Sequence, residues 1–450
     1  MTSATTNLDE FFDRASRAGH SEQRLRAGDV LCSYMTISSI DAARDLMSTA
    51  TEAQRAARRE VYFNEALIAR QRLGQGVHDR GEAVAMTGAE LSESDWAGVK
   101  NHLPLHVKVI SVLDKTLECD EEWDVSVRGD IWDLDYMEEL YVLVNVGHLR
   151  MAPGSSLVVR GNVFSLICQC ITPTQNNMDH RKVPAMEIPR ISILPTPFAV
   201  DFRGPDLPHN GLPGKAGTHG EAGRHGEKVL VTSSVFGRIA IEDHRGLRMD
   251  GTNGQPGNNG GNGQRGRNGG MCKTAEITVR RLEGRLAVFA QGGDGGRGGD
   301  GGAGGDGGRG GEGSDGSRAI GGLIAGGHGG DGGNGGNGGR GGRGGNSGLS
   351  SNIFVTIPAH QEDLIEGTSL PGNPGAGGRS GKGGLAGVQG KGGKGPGEAF
   401  NGSDGKDGKP GSNGTSGHTG RQRAAANIFL NERILTTVPQ TRRVFASCQH

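Results

Sequence analysis

Apolar positions along the chain fall into three regimes. In residues 7–18 and 38–75 they recur at intervals of three and four, which predicts two amphipathic helices. The second of these, SIDAARDLMSTATEAQRAARREVYFNEALIARQRLG, has a serine and an aspartate near its start and Gly74 and Gly76 at its end, as helix boundaries require. From Leu103 to Thr172 the pattern changes to short runs: LPLHVKVISVL, WDVSVRGDIW, ELYVLVNVGHLRM, SSLVVRG and VFSLICQCI. Their alternation, their β-branched content and turns such as Ala152-Pro153-Gly154 predict an antiparallel β-sandwich or a short solenoid. ISILPTPFAVDF then leads into a third regime, in which strand-like runs (KVLVTSSVFGRIAIEDH, TAEITVRRLEGRLAVFA, NIFVTIPAHQEDLIEG, AAANIFLNERILTTV) punctuate glycine-rich segments. The runs around Phe236-Gly237 and Glu283-Gly284 read as hairpins.

Six glycine-rich segments repeat with period three, at 211–226, 251–270, 292–316, 326–348, 372–393 and 402–420. A period of three matches a polyproline II type of helix, with about 3 residues per turn and a rise of roughly 3.1 Å. Each triplet position then owns one face of a rod, and the two longest middle rods would each span roughly 70 to 80 Å. Bare glycine faces let main chains approach and share their amides and carbonyls. The third face carries Asp294, Arg297, Asp300, Ala303, Asp306, Arg309 and Glu312 on one rod, and His328, Asp331, Asn334, Asn337, Arg340, Arg343 and Asn346 on the next; it is expected to meet solvent. Rods with two glycines per triplet belong inside, and the first and last at the edges. The fold class that follows is mixed: N-terminal helices and an antiparallel β anchor, then an antiparallel bundle of six polyproline II-type helices with interspersed β-hairpins. The domains are 1–102 (helical), 103–203 (β-rich anchor), 204–423 (glycine-rich bundle) and 424–450 (C-terminal strand and tail).

Composition sharpens this division. The chain has 450 residues, 84 of them glycine, and all three tryptophans and four tyrosines lie before residue 142. A formal net charge of −1 gives no global field toward nucleic acid or a membrane surface. The start MTSATTNLDEFFDRAS lacks the basic and apolar regions of a signal peptide, and no apolar run approaches the ~20 residues of a membrane span. The expectation is synthesis in the cytoplasm, with the final location either there or in a particle or surface assembly. The six cysteines, at 32, 119, 168, 170, 272 and 448, are scattered and read as free thiols.

The Gly211–Gly226 stretch, GLPGKAGTHGEAGRHG, has collagen-like spacing, but short runs, little proline and paired glycines suit a triple helix poorly. The repeats resemble the glycine-rich polyproline II (polyglycine II) bundles of the amino-terminal domain of Obg-type GTPases, of springtail antifreeze proteins and of adhesins at phage tail-fibre tips. No GTPase domain follows, and the Asp, Arg and Lys rows differ from a flat, uncharged ice face. The adhesin resemblance implies a stiff platform presenting variable tips, here 317–325 and 394–401. Ile320, Leu323, Ile324 and Phe400 are then the candidate binding residues, apolar where solvent is expected.

Other chemistry is sparse. GxGxxG matches occur throughout, but none opens a helix after a strand in a βαβ unit. AGGRSGKGG, 376–384, falls short of a phosphate-binding loop. Asp in GGD triplets is similar to calcium-binding nonapeptide repeats, which need an apolar ninth position missing here. Cys168 and Cys170, with Cys448 and His450, supply a candidate Cys3His zinc site against the plainer reading of a buried thiol pair and a free tail. The cofactor expectation is none, with zinc and calcium as the candidates. Arg-Gly-Gly triplets interleaved with acids and without aromatics disfavour nucleic acid. Expected partners are a protein or a surface glycan, and a second copy through the N-terminal helix. The function expected is a non-enzymatic structural or binding protein displaying loops. The alternatives are an enzyme or enzyme subunit with its site in the β-rich domain, and a self-assembling scaffold.

Overall fold

The run LYVLVNVGHLRM is too uniformly apolar for a strand with one wet face, and in the computed structural model its first eight residues are buried on both faces. The structure describes residues 8–63, 103–134, 139–173, 188–197, 209–235, 237–240, 246–319 and 322–435, with the main chain alone at 59–63, 234, 238–240 and 319. At the start lie α1 (Asp9–Arg17), α2 (Glu22–Arg26), β1 (Leu31–Ile37), α3 (Ile40–Met47) and α4 (Glu52–Phe63). Strands β2 (Leu105–Leu117), β3 (Glu122–Asp124), β4 (Leu140–Met151), β5 (Ser156–Arg160), β6 (Val163–Pro173) and β7 (Arg190–Leu194) follow. Within and between the glycine-rich segments come β8 (Val231–Ser234), β9 (Gly237–Ala240), β10 (Ala275–Val279), β11 (Leu286–Gln291), β12 (Ser317–Ala319) and β13 (Gly322–Ile324). The last are β14 (Ile353–Thr356), β15 (Ile365–Leu370), β16 (Ile428–Leu430) and β17 (Arg433–Ile434).

These strands form an eight-stranded sheet, β1-β2-β4-β6-β10-β14-β16-β17, and a five-stranded sheet, β15-β11-β7-β5-β3. The first is parallel except at its two ends, where β1 on β2 and β17 on β16 are antiparallel; the second is parallel throughout. From β2 to β16, the separate hairpins β8-β9 and β12-β13 aside, the chain alternates between the sheets, so each coil lays one strand on each. The inner faces share one core, with Val112, Val144, Phe164, Leu166, Ile277 and Val355 from the larger sheet and Leu157, Val159, Ile191 and Val288 from the smaller. The outer face of the larger sheet is covered by the N-terminal elements. Ala43, Leu46 and Met47 of α3 pack on Val107, Tyr141, Leu143 and Ile167. Arg58 of α4, 1% exposed, pairs with Glu276 at 2.8 Å and Glu432 at 2.9 Å and lies over the Phe354 ring. Among the described residues no helix is long and apolar enough to cross a membrane.

The glycine-rich segments are excursions from these coils. The chain leaves after β7, β11 and β15, and returns before β10, β14 and β16. Alternate segments run in the same direction: Gly211 N–H donates to Arg297 O and Gly226 to Glu312 O, both at 2.7 Å. Consecutive segments run oppositely, with Gln255 N–H on Glu221 O and Asn258 on Thr218 O. Outgoing segments one, three and five thus form one layer, and returning segments two, four and six another. The layers keep the register of the strands they extend. Ile353 pairs with Ile428 across β14 and β16, and the bond from Ser412 N–H to Asn337 spans the same 75 positions. Ala275 pairs with Ile353, and Asp331 N–H to Asn253 spans the same 78. Leu286 pairs with Ile365, and Arg379 N–H to Asp300 spans the same 79.

Several expectations are corrected. The fold is α/β with mainly parallel sheets, not an antiparallel anchor or β-sandwich carrying an antiparallel bundle of six polyproline II-type helices. Uniform burial on both faces, which alternation cannot show, is the physical reason. Neither a collagen-like helix nor a polyproline II (polyglycine II) bundle is shown: the glycine-rich segments carry no regular helix and belong to the coils of the sheets. The likeness to Obg, antifreeze and phage adhesin bundles accordingly fails at the level of the fold. The turn at Glu283-Gly284 joins strands of different sheets, whereas β8 and β9 do pair antiparallel. The single helix expected over 38–75 breaks at Ser48, which is extended, because Ser48 Oγ and Thr49 N–H both bond Glu276; residues 64–75 lie outside the described residues.

Close main-chain approach has a direct test. A Cβ at Gly302 would collide with the Lys215 carbonyl, whereas one at Gly397 meets nothing within 4 Å. Gly302→Ala should cost about 2–4 kcal/mol through strain and lost hydrogen bonds, and Gly397→Ala about 0.5 kcal/mol or less, as read by urea denaturation.

Candidate functional site

The excursions end in three turns gathered at the end away from the sheets. Gly326 N–H donates to Phe400 O at 2.9 Å and Gly316 N–H to Lys394 O at 2.8 Å, which joins the second turn to the third, and β9 of the first turn lies beside β12 of the second. The structure brings Leu323, Ile324 and Phe400 to this end. Leu323 and Phe400 are exposed, 44% and 40%, as are Val235 and Leu230 on the first turn; Ile324 is buried. Ile320 lies outside the described residues.

Along the flanks, the outward residues do more than meet water. Most glycine amides find carbonyls on neighbouring segments, while those of Gly383 and Gly392 go to Asn413 Oδ1 and Asp404 Oδ1; the amide of the outward residue points past the carbonyls. An Asn, Asp or His on the preceding segment of the same layer accepts from it. Asn259 Oδ1 takes Asn337 N–H at 2.7 Å, Asn337 Oδ1 takes Ser412 N–H at 2.9 Å, Asp300 Oδ1 takes Arg379 N–H at 2.7 Å, and His219 Nδ1 takes Asp306 N–H at 3.0 Å. A face expected only to be solvated is therefore stitched across its width. The signal was in the sequence: these side chains recur in step on alternate segments, at the spacings of the strand pairs.

Cys168 faces the core between the sheets and its thiol contacts Cys170 O at 3.2 Å. Burial pushes the Cys168 and Cys170 thiols up and raises that of Cys272 to about 12. Cys448 and His450, the other half of the candidate zinc site, lie outside the described residues, among which no group of three or more His, Cys, Asp or Glu side chains is placed to hold a metal.

Cys170 lines a cleft of about 290 Å³ with Leu8, Asp114, His148, Arg281 and Glu283. Here the three strands kink together: Val112, Val146 and Cys168 face the core, and so do Leu117, Leu149 and Ile171, an odd number of positions later. Gly147 is required at the kink, where a Cβ would meet Leu113 O at 2.5 Å. His148 Nε2 lies 2.8 Å from Thr172 Oγ1, whose own proton goes to Glu283 at 2.9 Å. That assigns the Nε2 proton to the imidazole by the network, so His148 cannot take the hydroxyl's proton. Burial first, and Arg150 next, lower the His148 pKa, whereas Asp114 opposes them.

Two measurements follow. Among the described cysteines, exposed Cys32 and Cys119 should react with Ellman's reagent at pH 8, whereas buried Cys168 and Cys272 should react only after unfolding. The Arg379 amide, and next the Arg297 guanidinium, lower the Asp300 pKa. The cap therefore stabilises the fold above the usual carboxylate range and is lost as pH falls through the depressed value. Amide-exchange protection at Arg379 should fall on that acid limb, and Asp300→Asn, which still accepts, should remove the pH dependence. Comparison of the chain with protein-family models, curated proteins and solved structures returned no match.

Proposed function

We propose that this is a non-enzymatic binding protein whose hydrogen-bonded arm presents the three turns to a partner. The observation that carries this reading is that all three turns meet at one end of an arm in register with the sheets. A recognition surface needs loops held by a rigid scaffold, and here the apolar Leu323, Phe400 and Val235 stand exposed on such loops. Apolar groups in water are placed to gain from a partner's surface, and aromatics are favoured anchors.

The experiment compares the full chain with a Leu323→Ser/Phe400→Ser variant on an array of immobilised glycans and cell-surface proteins, with thermal unfolding alongside. The expected result is saturable binding that weakens about tenfold or more in the variant, the scale of 1.4 kcal/mol, while Tm moves by less than about 2 °C. Binding indifferent to both substitutions, or an arm that melts when they are made, overturns the reading.

A further inference from the structure

The two flanks of the arm treat their arginines differently. On the layer of segments one, three and five, Arg297 is paired with Asp300 at 2.6 Å and Arg309 with Glu312 at 2.8 Å. On the other layer, Arg340, Arg343 and Arg421 are exposed and, among the described residues, have no carboxylate within 4 Å. Outward residues there align in rows across the layer, such as Asn259–Asn337–Ser412, Asn262–Arg340–Thr415 and Arg265–Arg343–His418. From the Pro256–Asn334–Lys409 row to the sheets, none of these outward residues is acidic.

The arginines also interrupt the stitching. Asn262 caps the Arg340 amide at 2.8 Å and Asn268 the Asn346 amide at 3.0 Å, and Asn346 caps Arg421 at 2.8 Å. Where Arg265, Arg340 and Arg343 stand in the capping position there is no acceptor, because a guanidinium only donates. The amides of Arg343, Thr415 and His418 accordingly receive no cap among the described residues. Each capping asparagine, by spending its Oδ1 inward, turns its Nδ2 donors outward. The result is a flat surface of unspent donors: three main-chain amides, the Arg340, Arg343 and Arg421 guanidiniums, and rows of side-chain amides, beside Arg265, whose Nη2 donates to Asn268 Oδ1 at 3.3 Å.

We propose that this flank, in its sheet-proximal half, binds an acidic polysaccharide, with its sulfate or carboxylate groups over the Arg340–Arg343–His418 cluster. Guanidinium pairs with such oxyanions bidentately, and the uncapped main-chain amides beside it offer further donors. The neighbouring Asn, Ser412 and Thr415 side chains match sugar hydroxyls. No aromatic stands on these rows to stack a base, which favours a glycan over single-stranded nucleic acid. This surface is separate from the turns at the far end, so it stands or falls apart from the reading given to them.

The test uses the full chain, heparin as the sulfated probe, uncharged dextran, and a 30-base-pair DNA duplex, in about 0.15 M salt. The variant is Arg340→Asn/Arg343→Asn, which installs the missing caps for Thr415 and His418 and so keeps the arm folded, as unfolding by urea will verify. The expected result is heparin binding that falls about tenfold or more in the variant, with no binding to dextran. No heparin binding by the native chain, undiminished binding by the folded variant, or duplex bound as tightly as heparin overturns the proposal. Should the double variant fail to fold, Arg343→Gln read by the same titration decides it in the same way.

Discussion

Main-chain hydrogen bonding from one coil to the next is the interaction on which the rest of this molecule depends. Between β10 and β14, or β14 and β16, it is ordinary parallel pairing between strands with a buried side chain on each face. Past the sheet edge no apolar layer remains to hold two coils together, and the same coil-to-coil bonding continues only because glycine lets a second main chain lie against the first. Gly302 shows how tight this is, its Cα facing the carbonyl of Lys215 with no room for a methyl. The trade is side-chain burial for main-chain contact, and it lets an arm with no hydrophobic core keep the register of a sheet that has one.

That arrangement leaves one amide per triplet without a carbonyl, and the sequence of the outward positions follows from it. Only a short side chain with an acceptor reaches the next segment, so Asn, Asp and His dominate where capping occurs. Arg and Lys appear where it fails, or on the fifth and sixth segments, which end their layers; Asp404, Asp407 and Asn413 of the sixth cap amides of the fifth instead. Arg and Asp alternation on the third segment is thus two jobs interleaved: Asp300 and Asp306 cap the fifth segment, while Arg297 and Arg309 neutralise neighbouring acids.

The sequence made some of this legible. Period-three glycine announced close main-chain approach, and segment lengths and turns located the exposed end. Parallel pairing was hidden because β4 and β6, buried on both faces, lack the alternation that distinguishes one wet face. Strand β1 lay unseen in a region dominated by helical spacing. The break after Met47 was equally invisible, since it is set by Glu276, some 228 residues away. The kink that opens the cleft depends on three strands stepping together, a property of neighbours and not of any one run.

Register also dictates where this chain can vary. Outgoing segments three and five are offset by 79 positions, as Asp315 and Lys394 show, and returning segments four and six by 75, as His328 and Ser403 show. The difference of four residues is taken up between those two rows, in the turn. An insertion inside a segment would shift every later glycine off the carbonyl it must approach and every cap off its amide. An insertion in a turn changes neither, because the returning segment re-enters the lattice wherever the turn releases it. The arm therefore confines freedom of length to its far end, which is the property a scaffold must have if the loops it carries are to change while the fold does not.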